Sequence, residues 1–163
     1  MITEGCIVKS GEIRGIIGAV INYGGKICAI TAGHVIRYGN GRVGTNVKVD
    51  GHESRVIKLI NDYDLAIIEV PRNYAKISEV GYAYFGPARL MTNEREIACR
   101  VIDTGRNLNR FAFPCGNMPY PGDSGSPVLQ DEKVVAILSS ILYNNCTGLG
   151  ISSQVFGNPS RLR

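Results

Sequence analysis

The sequence is short of several things, and each shortage excludes a class. It has no Trp, only two His, and five Cys of which no two lie within four residues of each other. Zinc and dithiol patterns of the CxxC kind are therefore absent, and no metal or organic cofactor is expected. Uncharged apolar runs extend over only a few residues, so nothing reads as a membrane-spanning helix. Residues 1–5, Met-Ile-Thr-Glu-Gly, lack a basic region followed by an apolar core. No secretory signal is expected from them, and an intracellular setting is (host cytoplasm or virion if the source is viral). Long amphipathic helices are missing too: no stretch sustains a helical period for twelve residues. The positive charge is weak. With 18 Lys and Arg against 14 Asp and Glu, the net charge is +4. The basic residues are scattered, with one short cluster at Arg161 and Arg163, so no dedicated nucleic-acid binding is expected. At 163 residues the chain forms one domain or two very small ones, and it needs neither metal nor disulfide to bury a core. An odd Cys count leaves at least one thiol unpaired within the chain, and buried free thiols are the default expectation.

What is present is a series of short Val- and Ile-rich runs, separated by Gly, Asn and Asp every eight to twelve residues. That is an all-β pattern. Expected strands in the first half are Glu12–Ile21, Lys26–Thr31, Val47–Val49, Ser54–Leu59 and Leu65–Val70. Those in the second are Ile97–Asp103, Arg110–Phe113, Ser126–Leu129, Val134–Leu142 and Gly148–Phe156. Asn22-Tyr23-Gly24-Gly25, Asp50-Gly51 and Gln130-Asp131-Glu132-Lys133 read as hairpin turns. His34–Tyr38 and Asn158–Arg163 read as single helical turns. Pro71–Pro87, with Gly81 and Gly86, breaks the pattern. It suggests two units, residues 1–75 and 88–163, with 76–87 as the crossover.

Three motifs carry chemistry. Thr31-Ala32-Gly33-His34 ends an apolar strand. Asp62-Tyr63-Asp64 precedes Leu65-Ala66-Ile67-Ile68. Gly122-Asp123-Ser124-Gly125-Ser126-Pro127 forms a Gly-flanked turn. A serine becomes a nucleophile only beside a base, the base needs a partner that fixes its tautomer, and the developing oxyanion needs aimed donors. Each residue also has a plainer reading. Alone, His34 is a core histidine and Ser124 an ordinary Gly-Ser turn. Asp62 competes with Asp64, which abuts the apolar strand directly. His52 reads as a surface turn residue. The order and spacing of the set, His34 then Asp64 thirty residues on and Ser124 sixty further, outweigh these readings taken singly.

The motifs resemble the chymotrypsin-like (trypsin-fold) serine proteases, in particular minimal viral or prokaryotic members, over nearly the whole chain. The resemblance implies two antiparallel β-barrels with the active site in the cleft between them. It implies His34 as general base and acid, Asp64 as its orienting carboxylate and Ser124 as nucleophile. The Gly122 and Ser124 N–H groups would form the oxyanion hole, in a loop that Asp123 helps to shape. Ser139 and Ser140 would lie on the strand lining the substrate cleft, and Gly150 would keep one pocket wall open. Met118 and Ile141 fall in the same pocket region. No acid occupies residues 115–120 and no His the later strand, so neither Arg and Lys nor Gln and Glu are the expected residue before the cut. A small or apolar one is. The chain lacks the apolar N-terminus that pairs with the acid before the nucleophile in digestive members. Asp123 therefore needs another partner, or the N-terminus is generated from a polyprotein. Cys115 and Cys146 flank the implied pocket; a bridge is one alternative and free thiols are the expectation. The expected partner is a protein or peptide substrate, such as the chain's own polyprotein. Two other classes stay open: a virion or scaffold protein that cuts once or not at all, and a binding module on a retained fold.

Overall fold

A computed structural model describes residues 1–162, apart from the side chains of residues 159 and 160. Two antiparallel sheets account for almost all regular structure. The first contains β1 (Ile7–Ser10), β2 (Ile13–Ile16), β3 (Ala19–Tyr23), β4 (Lys26–Ala32), β5 (Asn46–Val49), β6 (His52–Ile60) and β7 (Leu65–Glu69). Its strand order is β2-β1-β5-β6-β7-β4-β3. The two edge strands are consecutive in sequence, and the corner between them is held from both sides. Ile17 N–H donates to Cys6 O and Gly18 N–H to Ile30 O, each at 2.8 Å. The expected single strand Glu12–Ile21 is thus one bent strand whose halves pair with opposite neighbours. β1, which was not expected, supplies the partner for its first half.

The second sheet is a closed barrel of β8 (Gly86–Met91), β9 (Glu96–Asp103), β10 (Leu108–Ala112), β11 (Pro127–Gln130), β12 (Lys133–Leu142) and β13 (Thr147–Ser152), in the order β10-β13-β12-β11-β8-β9. β8 begins inside the segment read as crossover. Pro87 hides it from a propensity reading, yet Pro87 pairs only with Arg100 of β9, beyond the two residues of β8 that pair with β11. A proline is tolerated where no ladder bond is needed from its nitrogen. The expected strand Gly148–Phe156 stops at Ser152 and turns into α2 (Ser153–Phe156), with the Ser152 hydroxyl capping Gln154 N–H. The terminal helical turn spans Pro159–Leu162; Arg163 lies outside the described residues.

All three expected hairpin turns close as two-residue loops. Gly24-Gly25, Asp50-Gly51 and Asp131-Glu132 take positive φ at both positions, the backbone that matches strand twist.

Three apolar clusters form the interior. One fills the first sheet and one the second barrel. The third lies between them, where Ile30, Leu65 and Ile67 meet Ile137, Ile151 and Phe156. This explains why Leu65-Ala66-Ile67-Ile68 is apolar without alternation. Ala66 and Ile68 face the interior of the first sheet, while Leu65 and Ile67 face the second barrel, so both faces of β7 are buried.

Candidate active site

His34 lies at the start of α1 (Gly33–Tyr38), directly after β4. Asp64 follows the turn Asn61–Tyr63 and is left-handed, with φ 52°. A non-glycine residue holds that backbone only where its surroundings impose it, and such residues gather at functional sites. The imposing bonds are visible. Gly33 N–H donates to Asp64 O at 2.7 Å, and His34 N–H donates to Asp64 Oδ1 at 2.8 Å. The His34 Nδ1 then lies 2.9 Å from Asp64 Oδ2. A ring nitrogen facing a carboxylate carries the proton, which leaves Nε2 as the acceptor. Ser139 Oγ donates to the same Oδ2 at 2.6 Å. It can do so because the β12–β13 register shifts between Leu138 and Ser140. The bulge turns Ser139 out of the ladder toward the first sheet. Burial pushes the Asp64 carboxyl up, but hydrogen bonds from His34 and Ser139 and the His34 charge outweigh it and hold the group below its ordinary value. The competing Asp62 is exposed. His52 stacks on Tyr74, ring centroids 4.5 Å apart.

Ser124 follows the turn Pro121–Asp123 and is buried. Its carbonyl accepts Ile16 N–H at 2.9 Å, and Gly125 N–H donates to Leu138 O at 2.8 Å. Gly125 has φ 93°, and a Cβ there would fall 2.1 Å from Ile16 O. Only glycine fits between the Pro121–Ser124 turn and β2. Ser124, Gly122 and His34 line one cleft of about 340 Å³ together with Glu12, Arg14 and Tyr38. Ser139, Ser140 and Asp64 line a second cavity of about 260 Å³ with Tyr63 and Leu149. The His34–Asp64 pair thus has a cavity on each side.

The oxyanion expectation meets an obstacle. Ser124 N–H is donated to Pro121 O at 3.2 Å, so one of the two expected donors is occupied. Gly122 faces open space.

Asp123 has the partner that the sequence left open. Its Oδ2 accepts Tyr120 N–H at 2.7 Å and lies 3.6 Å from Arg95 Nη2. Arg95 also donates to Met118 O at 2.9 Å and stacks over the Tyr120 ring at 4.6 Å. No local signal pointed to Arg95, which reaches this loop from the β8–β9 hairpin. Arg37, also missed, donates to Asp64 Oδ1 at 3.2 Å and to Asn61 Oδ1 at 3.1 Å. Its signal was readable, since it lies three residues after His34 on the same helical turn.

Two pocket expectations need correction. Cys115 and Cys146 are disulfide-bonded, with Cα atoms 5.2 Å apart, not free. Register explains it. Ala112 pairs with Thr147, and Phe113 N–H donates to Cys146 O at 2.8 Å, so the two cysteines meet just past the end of the β10–β13 ladder. Gly150 does not open a pocket wall. A Cβ there would lie 2.7 Å from the Phe111 ring, and at Gly148 one would lie 2.8 Å from Phe113. Both glycines make room for core rings. Met118 and Ile141 pack against that same core. Cys6, Cys28 and Cys99 are free and buried. Burial pushes Cys6 and Cys28 up to about 11 and Cys99 to about 12, which keeps them as thiols.

Among the described residues, no three His, Cys, Asp or Glu side chains are grouped to hold a metal. Among the described residues, no helix is long and apolar enough to cross a membrane.

No protein-family model matches the sequence, and no curated protein does. Solved structures do match. The active form of the Rv3671c protease from M. tuberculosis is 17% identical, with a TM-score of 0.73 over 98% of this chain and 82% of that one. Nocardiopsis protease is 18% identical, with a TM-score of 0.67 over 93% and 90%. The 3C protein of HRV-C, solved with rupintrivir, is 17% identical, with a TM-score of 0.61 over 91% of each. The chain therefore has the two-barrel fold of the chymotrypsin-like proteases.

Proposed function

We propose that this chain is a serine endopeptidase that works through an acyl-enzyme. The observation that carries the reading is the His34–Asp64 pair, Nδ1 to Oδ2 at 2.9 Å, opening onto the cleft that Ser124 also lines. Asp64 fixes the ring so that Nε2 is free to take the Ser124 hydroxyl proton. Ser124 Oγ attacks the scissile carbonyl, and His34 then protonates the leaving amine. Water, activated by the same base, releases the acyl group. Residue 124 is a serine, which sets the nucleophile class apart from a thiol. For the oxyanion to be met by two N–H groups, the bond from Ser124 N–H to Pro121 O has to open as the Pro121–Gly122 peptide turns over.

The substrate reading rests on residue type. Met118 and Ile141 lie against the Phe111–Phe113 core, and no carboxylate occurs at residues 115–120. These apolar, acid-free surroundings favour a small or apolar residue before the cut, in a protein or peptide substrate such as the chain's own polyprotein. Of the expected units, 1–75 and 88–163 joined through 76–87, the second takes in Gly86 and Pro87 as well, since β8 begins at Gly86. The Cys115–Cys146 bridge favours a compartment oxidising enough to keep it, which weighs against the reducing cytosol expected from the N-terminal residues.

A second reading, a scaffold without turnover, draws on the occupied Ser124 N–H. Labelling with a fluorophosphonate probe separates the two. Wild type is expected to label and Ser124→Ala and His34→Ala to lose labelling. Folded wild type that does not label supports the scaffold.

A further inference from the structure

Asp64 is shared by two cationic or cation-forming partners on one short helix. Its Oδ1 accepts His34 N–H at 2.8 Å and Arg37 Nη2 at 3.2 Å. Its Oδ2 faces His34 Nδ1 at 2.9 Å and accepts Ser139 Oγ at 2.6 Å. Each oxygen thus has two partners, which fills the usual capacity of a carboxylate. The guanidinium is held there by more than charge. Its other nitrogen donates to Asn61 Oδ1 at 3.1 Å. Gly33 leaves the space for it, since a Cβ at that position would lie 2.8 Å from Arg37 Nη1. A helix start, a glycine and an Asn-containing turn therefore converge to keep an Arg on the carboxylate that orients His34.

We propose that Arg37 is a positioning residue that acts through Asp64, setting how far toward acid pH the site stays active. The inference rests on the hydrolase reading above and deepens it. During turnover His34 takes the Ser124 proton and becomes an imidazolium, which the Asp64 charge supports. The same support favours the resting imidazolium at acid pH, where no base is available. A guanidinium on Asp64 opposes both. By drawing on the same carboxylate, it makes Asp64 a weaker stabiliser of the charged ring. The other charged or titratable groups around the pair are Asp62 and Tyr63 from the preceding turn, and Glu12, Arg14 and Tyr38 from the cleft. Arg14 is paired with Glu94 and Arg161 lies over Tyr63. Arg37 alone among the cations is hydrogen-bonded to the Asp64 carboxylate among the described residues.

The Arg37 side chain is 38% exposed, so its field is partly screened and the effect is modest. The test is the second-order rate of fluorophosphonate inactivation against pH, for wild type, Arg37→Gln and Arg37→Lys, at low and high salt. Arg37→Gln is expected to move the acid limb to higher pH by about half a unit. Arg37→Lys is expected to keep most of the wild-type limb, and the gap between Gln and wild type is expected to narrow at high salt. The His34 Nδ1 proton resonance reads the same contact without any chemistry at Ser124. In Arg37→Gln it is expected to move downfield, as Asp64 accepts that proton more strongly. Equal slowing of both variants at every pH, with an unmoved limb and an unmoved resonance, would show that Arg37 merely braces the Asn61–Asp64 turn and overturns the proposal. If folded wild type does not label, the hydrolase reading falls, and the resonance decides on Arg37 by itself.

Discussion

Ser139 of the second barrel donates its hydroxyl to Asp64 of the first at 2.6 Å. That bond ties the carboxylate beside His34 to the domain that carries Ser124, so the two halves of the candidate site are registered by a side chain as well as by apolar packing. Ser139→Ala removes one donor from a half-buried carboxylate and releases its hold across the cleft. A hydrogen bond to a charged group contributes about 1.5–3 kcal/mol. A drop in kcat/KM of about tenfold is expected, with the fold retained by circular dichroism.

The depressed Asp64 carboxyl makes a pH prediction for stability. Its folded value lies below the ordinary 3.8, so the folded state binds the proton less readily than the unfolded chain. The contribution is fully present above the unfolded value and is lost as pH falls through the folded one. Urea denaturation between about pH 5 and 2 should show wild type losing stability with acid more steeply than Asp64→Asn. Parallel curves would remove Asp64 as a source of the slope.

Arg95 is expected to hold the Pro121–Ser124 loop. Arg95→Gln leaves Asp123 with its Tyr120 N–H bond but without a nearby cation. A buried, less-compensated carboxylate costs about 1–3 kcal/mol. The expected outcome is a lower melting temperature together with slower fluorophosphonate labelling. Normal labelling at a lowered melting temperature would confine Arg95 to stability.

The Cys115–Cys146 bridge closes a loop with a sequence separation of 31. Chain-entropy arguments give about 3–4 kcal/mol for such a loop. Reduction, or Cys115→Ser with Cys146→Ser, should lower the urea midpoint accordingly, and intact mass with and without reductant reads the bridge directly.

Gly150→Ala checks the corrected role of that glycine. A methyl 2.7 Å from the Phe111 ring overpacks the core at a cost of about 1–3 kcal/mol. Loss of stability with an unchanged peptide-library preference is expected. A changed preference at full stability would return Gly150 to the pocket wall.

The elements that could be read from the residues are those whose signals are local. Apolar runs and paired turn residues such as Asp50-Gly51 report the backbone directly. β8 was hidden because Gly86-Pro87 reads as a break, and its strand character comes from pairing with β9 and β11. The corner at Ile17–Gly18 was hidden because an apolar strand looks the same straight or bent. Arg37 was within reach, one helical turn from His34. Arg95 and Ser139's turn toward Asp64 were out of reach, and the Cys115–Cys146 bridge could be named but not chosen, since each depends on where two distant strands meet.

By itself, the sequence determined the all-β class, the hairpins and the set of chemically capable side chains, because these depend on local backbone preference and residue type. Tertiary structure decided which acid meets His34, what Asp123 pairs with, and that Gly150 serves Phe111. It also decided that Ser124 N–H is engaged by Pro121 O. The first three join residues 28 to 39 positions apart, which only strand pairing and barrel closure bring within a few ångströms; the last is a local turn bond that residue type does not specify.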